Sequence, residues 1–371
     1  MICRSALLPL SALVLAASFA TLGCDEKKPT PPTGTPAPPT PKEALTPPKP
    51  MAKVDRALLN AFAVLPEKMT PPGGTLSDDA VALGKQLYFD TRLSKNQEIS
   101  CNTCHGLDTY GVDNKPTSPG HKGALGARNS PTVYNAALHG SQFWDGRAKD
   151  VEEQALGPIL NPVEMAMKDE AAVLAVVRSM PEYVAAFKKA FPADKEPVTY
   201  ANLGKAIGAF ERTLVTPSRW DKYVAGDDEA LTNEERAGLA KFLDVGCNTC
   251  HAGSVVGGRD FKKLGQAKAW PTEVKDNGRF DVTKSDEDKH FFKVPSLRNV
   301  EKTAPYFHDG SVQTLDEAVK LMATHQLGKD LSNEDVASIV TFLKSLTGEL
   351  PKIDKPELPK STAKTPKADP T

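Results

Sequence analysis

The sequence predicts a mainly α chain of two helical domains packed against each other, with few short strands, and three observations predict it. The string Cys-Asn-Thr-Cys-His occurs twice, at Cys101 to His105 and at Cys247 to His251. A helix-like segment precedes each copy: Ser77 to Leu87 before the first, and Thr232 to Leu243 before the second, where Thr232 and Glu235 form a capping box. A third helical period closes the folded part, with Val336, Ile339, Val340, Leu343 and Leu346 at helical spacing after Ser332.

The ends of the chain differ from this middle. Arg4 precedes an apolar run, Ala6 to Ala17, that fits the core of an export signal and is too short to span a bilayer. The run ends at Thr21-Leu22-Gly23-Cys24, which resembles a bacterial lipoprotein signal. In such signals the cysteine is acylated, although an aliphatic residue usually stands where this chain has Thr21. Ser18-Phe19-Ala20 also offers an ordinary signal peptidase a site after Ala20. Cysteine arithmetic favours acylation, because Cys24 would otherwise be a lone thiol in an oxidising compartment. The expectation is a signal over 1–24 and a periplasmic protein tethered to a membrane at Cys24.

Residues 25–55 hold ten prolines between Pro29 and Pro50 and almost no large apolar group, so they read as an extended tether. The Pro/Lys-rich segment 351–371 reads as a disordered tail. Between them lie an N-terminal domain, 56–216, and a C-terminal domain, 217–350, with the break near Pro217. The 371 residues carry 46 Lys+Arg against 47 Asp+Glu, a net charge of -1. That balance gives no electrostatic reason for a nucleic-acid partner.

C-x-x-C-H is the attachment motif of c-type haem. Two thiols three positions apart reach the two vinyl groups on one edge of a porphyrin, and the adjacent His reaches the iron. A disulfide or a four-cysteine zinc site would use the cysteines but leaves the repeated His unexplained. The prediction is two covalently bound haem c groups, one held by Cys101, Cys104 and His105 and one by Cys247, Cys250 and His251. Each sits in a cytochrome c-like domain.

The ligand opposite each His separates an electron carrier from an enzyme, since only a vacant or displaceable position lets iron bind a small oxygen substrate. His121 stands in the loop Pro116-Thr117-Ser118-Pro119-Gly120-His121-Lys122-Gly123, with prolines before it and Gly on both sides, where it could ligate and withdraw. Met322 offers a thioether, which favours ferrous iron and raises a haem's potential. Its bland alternative is core packing with Leu315, Val319 and Leu321. His325 lies on nearly the same helical face and is a rival ligand.

The chain resembles the bacterial di-haem cytochrome c peroxidases over nearly all of 76–350. The resemblance rests on Ile99 to His105, Tyr110 to Asp113, Asn129 to Asn135, Gln142 to Arg147, Asn161 to Met165 and Val294 to Gly310. It implies peroxide reduction at the haem above His105, capped by His121 in the oxidised resting enzyme. Electrons would enter through the haem of His251 and Met322, from a small donor such as a monohaem cytochrome c or a cupredoxin. The resemblance further implies that Glu164 carries the proton, that Gln154 orients peroxide and that Trp144 lies between the haems. Asn129, with the carbonyls of Thr303 and Pro305, matches an inter-domain calcium site, an oxygen donor set that suits a hard cation. Relatives often dimerise, which leaves a homodimer open. The related maturation enzymes for methylamine dehydrogenase place a Tyr where this chain has Met322. The alternatives are a di-haem electron-transfer cytochrome with both irons permanently six-coordinate, or a related di-haem oxidase acting on another protein.

Overall fold

The computed structural model describes residues 54–71 and 74–371. The signal at 1–24, Cys24 and the tether as far as residue 53 lie outside the described residues. Among the described residues no helix is long and apolar enough to cross a membrane.

Helix α1 (Asp78–Phe89) starts where Ser77 Oγ accepts from the Ala80 N–H, and it buries Leu83, Leu87 and Tyr88. The short α2 (Cys101–Cys104) is the first haem motif itself. Then follow α3 (Val151–Gln154), α4 (Gly157–Leu160), α5 (Glu170–Arg178), α6 (Pro181–Ala190) and α7 (Tyr200–Glu211). After α8 (Arg219–Val224), the capping box of Thr232 and Glu235 opens α9 (Asn233–Val245), which stops at Gly246 with φ 93°. That left-handed residue turns the chain directly into the second motif, Cys247–Thr249, a 3-10 turn. Strands β1 (Phe261–Lys263) and β2 (Phe291–Lys293) pair antiparallel, Phe261 opposite Lys293, with α10 (Phe280–Thr283) between them. Helix α11 (Leu315–Leu321) runs into a π-helical turn, Met322–Gln326, and α12 (Asn333–Lys344) closes the domain.

The buried apolar residues form two clusters. The first runs from Ala80 to Leu214; the second gathers Trp220 to Leu346. Each is built on the same device, a helix leading to a haem motif that lies against a later helix across a glycine. A Cβ on Gly84 of α1 would sit 1.7 Å from the Ala206 carbonyl oxygen of α7. One on Gly238 of α9 would sit 2.0 Å from the Ser338 carbonyl oxygen of α12. No side chain fits at either crossing. Buried polar groups hold the second cluster together, chiefly Arg298, whose guanidinium donates to both carboxylate oxygens of Asp221 at 2.6 and 2.8 Å. Removing one partner of such a buried pair strands the other charge at a cost of about 3–5 kcal/mol.

Two stretches lie elsewhere than composition predicts. Residues 56–61 form a 3-10 turn, and Leu59 and Phe62 pack into the second cluster although they precede the first in sequence. Phe62 makes an edge contact with Trp220, ring centroids 5.1 Å apart. The segment from Pro351 to Thr371, expected to be disordered, is instead an extended strap along the first domain. Ile353 packs on the first cluster, and Arg92 donates to the Pro359 carbonyl at 2.8 Å. Gln97 donates to the Pro366 carbonyl at 2.8 Å, and the Asp369 N–H to the Lys95 carbonyl at 2.9 Å. Proline-rich chain has few competing conformations to lose, so main-chain contacts of this kind hold it without a large apolar face.

Candidate functional site

Both haem motifs open into cavities. The first, about 820 Å³, is lined by Cys101, Cys104 and His105. The second, about 230 Å³, is lined by Cys247, Cys250 and His251. None of these four cysteines is paired in a disulfide. Burial raises the pKa of Cys101 and pushes Cys247 up to about 12. His105 Nδ1 donates to the Gly111 carbonyl at 3.3 Å, and His251 Nδ1 to the Val256 carbonyl at 3.4 Å. That hydrogen bond selects the tautomer whose Nε2 keeps a free lone pair for a metal. Burial holds both rings neutral, lowering His105 and taking His251 down to about 4. Paired thiols on one turn, a neutral imidazole beside them and a cavity at each motif fit covalently attached haem in both places.

The second cavity contains a thioether. Met322 lines it, presented by the π-helical turn, together with Ala323 and Gln326. Turns of this rare type recur at functional sites because they re-aim a single residue. His325, the rival, is not among the lining residues. It is buried, and its Nδ1 donates to the Ala269 carbonyl at 2.6 Å. The wider π turn separates the two faces that a regular helix would have shared.

The first cavity contains acid-base groups. Glu164 lines it and is half-buried, with Oε1 accepting from Asn161 Nδ2 at 2.7 Å. Burial raises its pKa, and Arg147 and the Asn161 bond oppose that rise without cancelling it. Gln154, at the end of α3, lines the same cavity. His121 is half-buried in the adjoining turn; Gly120 lines the cavity and His121 does not. Trp144 faces both cavities, its Nε1 donating to the Asn129 carbonyl at 2.9 Å. It makes an edge contact with His308, ring centroids 6.5 Å apart. His308 in turn stacks on Phe292 at 4.2 Å.

The three residues matched to calcium are less tightly joined. Thr303 and Pro305 line the second cavity, and Asn129 lines both. Asn129 Nδ2 donates to the Lys115 carbonyl at 2.9 Å, whereas Asn114 Nδ2 reaches the 302–304 loop, donating to the carbonyls of Lys302 and Ala304.

Three further groups face the cavities that sequence reasoning missed. Glu211 at the end of α7 is buried beside Cys101, and burial pushes its carboxyl up to about 8, aided by the charge of Glu152. Lys293 and His139 meet in the wall between the cavities. None of the three belongs to a motif, and their burial depends on segments far apart in sequence.

A family model for di-haem cytochrome c peroxidase matches residues 78–229. The chain is 49% identical to the cytochrome c551 peroxidase of Pseudomonas aeruginosa over 82% of its own length and 90% of that protein. It is likewise 49% identical to the cytochrome c551 peroxidase of Nitrosomonas europaea, over 79% of this chain and 87% of that one. Among solved structures, a MauG-like protein associated with microbial copper homeostasis superposes with a TM-score of 0.68 at 29% identity, covering 77% of this chain and 94% of that one. Two haem motifs in two cavities, with identity at this level over nearly the whole of the relatives, place the chain in the di-haem cytochrome c peroxidase family.

Proposed function

We propose that this protein reduces hydrogen peroxide to water with electrons from a small redox protein. The observation that carries the reading is the inequality of the two cavities. One holds a half-buried carboxyl, Glu164, and the other a thioether, Met322.

Haem c attached at Cys101/Cys104 and at Cys247/Cys250 would supply the iron chemistry, with His105 and His251 as proximal ligands. The protein's own residues do the rest. Glu164, its pKa raised by burial, can take a proton from one peroxide oxygen and return it to the other. Asn161 fixes the direction of its carboxyl through the 2.7 Å hydrogen bond. Gln154 offers an amide to orient the substrate. Met322 would join His251 in holding the second haem and would supply a soft thioether that favours its reduced form. Trp144 carries a conjugated ring across the wall the cavities share. His121 serves as the displaceable group over the first site, reaching it by movement of the 120–124 turn.

The wider setting follows the sequence: export to the periplasm, acylation at Cys24, and domains meeting near Pro217. The donor would be a cytochrome c or a cupredoxin, and a homodimer is compatible with this setting. A calcium ion would use carbonyl oxygens of Thr303 and Pro305 with Asn129. Incorporation of labelled fatty acid that is lost in Cys24→Ala tests the anchor, and metal analysis before and after chelation tests the calcium.

The activity is tested by mixing the holoenzyme with a reduced monohaem cytochrome c and following its oxidation on adding peroxide. Peroxide-dependent oxidation at two donor molecules per peroxide supports the reading. No turnover with either a cytochrome or a cupredoxin, before or after pre-reduction, overturns it.

A further inference from the structure

We infer that Lys293, steadied by His139, is the cationic seat for a haem carboxylate in the wall between the two cavities, and that it sets the potential of the haem it holds. The inference rests on the di-haem reading above and concerns a residue pair to which that reading gives no role.

The side chain of Lys293 is in an unusual place for an ammonium. The residue is 5% exposed, and it lines both cavities. Among the described residues that face both, it is the one Lys or Arg, and no Asp or Glu is with it. Its Nζ donates to the Ser141 carbonyl at 2.8 Å and to His139 Nδ1 at 3.3 Å. An ammonium has three N–H donors, and no carboxylate lies within ion-pair distance of it among the described residues. Burial lowers its pKa to about 7, and Asp145, whose carboxylate is held by Arg128 at 2.5 Å and Arg147 at 3.0 Å, opposes that only from farther off; a carboxylate seated at the site would keep the ammonium charged. A buried ammonium without a counter-charge is unfavourable, and this is what drives its pKa down.

His139 points to the missing partner. Because Nδ1 accepts from the ammonium, the neutral ring carries its proton on Nε2. That Nε2 is buried and has no hydrogen-bond partner among the described residues. Burial and the neighbouring ammonium both lower the pKa of the ring, so it stays neutral. The ring is held there by the absence of another side chain: a Cβ on Gly258, whose φ is +78°, would come within 2.7 Å of His139 Cδ2. The wall therefore presents a spare ammonium N–H and an imidazole N–H to the interior, with no acceptor from the protein.

Two adjacent donors, one cationic, match a carboxylate. Haem brings its own: the thioether bonds occupy the two vinyl positions, and the two propionates sit on the opposite side of the macrocycle. A propionate seated here satisfies both donors and neutralises the buried charge. The lysine in turn stabilises an electron added to the haem beside it, raising that potential.

The test compares wild-type holoenzyme with Lys293→Met and Lys293→Arg. Haem content is measured first; a wild type with fewer than two haems per chain refutes the di-haem reading itself. With two haems present, the potentials of both are titrated spectroscopically. Lys293→Met should move at least one couple toward the oxidised form by about tenfold in the reduced-to-oxidised ratio, which is 59 mV for one electron. Lys293→Arg should leave both where the wild type has them. Two unmoved couples in a fully loaded Lys293→Met overturn the proposal, since removing a cation bonded to a haem carboxylate must change that haem's potential. If that variant loads poorly, resonance Raman of Lys293→Gln replaces it. An altered propionate bending band supports the seat, and an unaltered one overturns it.

Discussion

The main-chain N–H of His121 donates to the carbonyl oxygen of Glu164 at 2.7 Å. The group proposed to withdraw from the first site and the group proposed to carry its proton are thus on two turns joined by their backbones. Gly120 makes the junction tighter, because a Cβ there would lie 2.0 Å from the Val163 carbonyl oxygen and 2.7 Å from Glu164 Cα. Movement of the His121 turn is coupled to the placement of Glu164.

Gly120→Ala and His121→Gly should therefore differ. The alanine forces the two turns apart and displaces Glu164, so peroxide turnover falls by about 10²-fold even after pre-reduction. Removing the imidazole leaves the junction intact and yields an enzyme active without pre-reduction. Steady-state turnover with and without a reductant step distinguishes them.

Glu164→Gln keeps the size of the side chain and removes the titratable proton. Its kcat should fall by about 10²- to 10⁴-fold. In the wild type, Glu164 must be ionised to accept the first proton, so activity rises with pH through its raised pKa. Asn161→Ala removes a hydrogen bond that favours the ionised form and should move that acid limb to higher pH. The pH profile of kcat/KM reads both effects.

Glu211 makes the stability of the fold depend on pH. Its folded-state pKa, about 8, lies above the ordinary carboxyl value of 4.5. The stability it leaves intact below the unfolded value is lost as pH rises toward 8, since the native state resists releasing the proton. Glu211→Gln should flatten this fall, narrowing the difference in Tm between about pH 5 and about pH 9 by several degrees, at roughly 2–4 °C per kcal/mol. Thermal melts of both holoproteins across that range provide the check.

The strap at 351–371 should contribute measurably to the first domain. Deleting it exposes the surface under Ile353 and removes the hydrogen bonds of Arg92 and Gln97 to its carbonyls. We expect a loss of roughly 2 kcal/mol, seen as a lower Tm by calorimetry, with haem content unchanged.

How much of this was legible beforehand depends on the range of the interactions. The haem motifs and the helices capped by Ser77, Thr232 and Ser332 are written in contiguous residues, and the structure has them there. Met322 could be named from its thioether, but only the π turn shows why it faces the cavity and His325 does not. Lys293 and His139 are 154 residues apart, and no local pattern marks an ammonium that becomes buried when two domains close. Composition misjudged the strap because its anchoring uses main-chain carbonyls, which every residue carries.

On the proposed function the two haem centres are unequal, one able to open and the other closed by Met322. Half-reduction of the holoenzyme, followed by optical and paramagnetic resonance spectra, tests it most directly. We expect one reduced haem with thioether ligation and one ferric haem that turns high-spin and then reacts with peroxide. A remaining ferric haem that stays low-spin after half-reduction and ignores peroxide would refute the assignment.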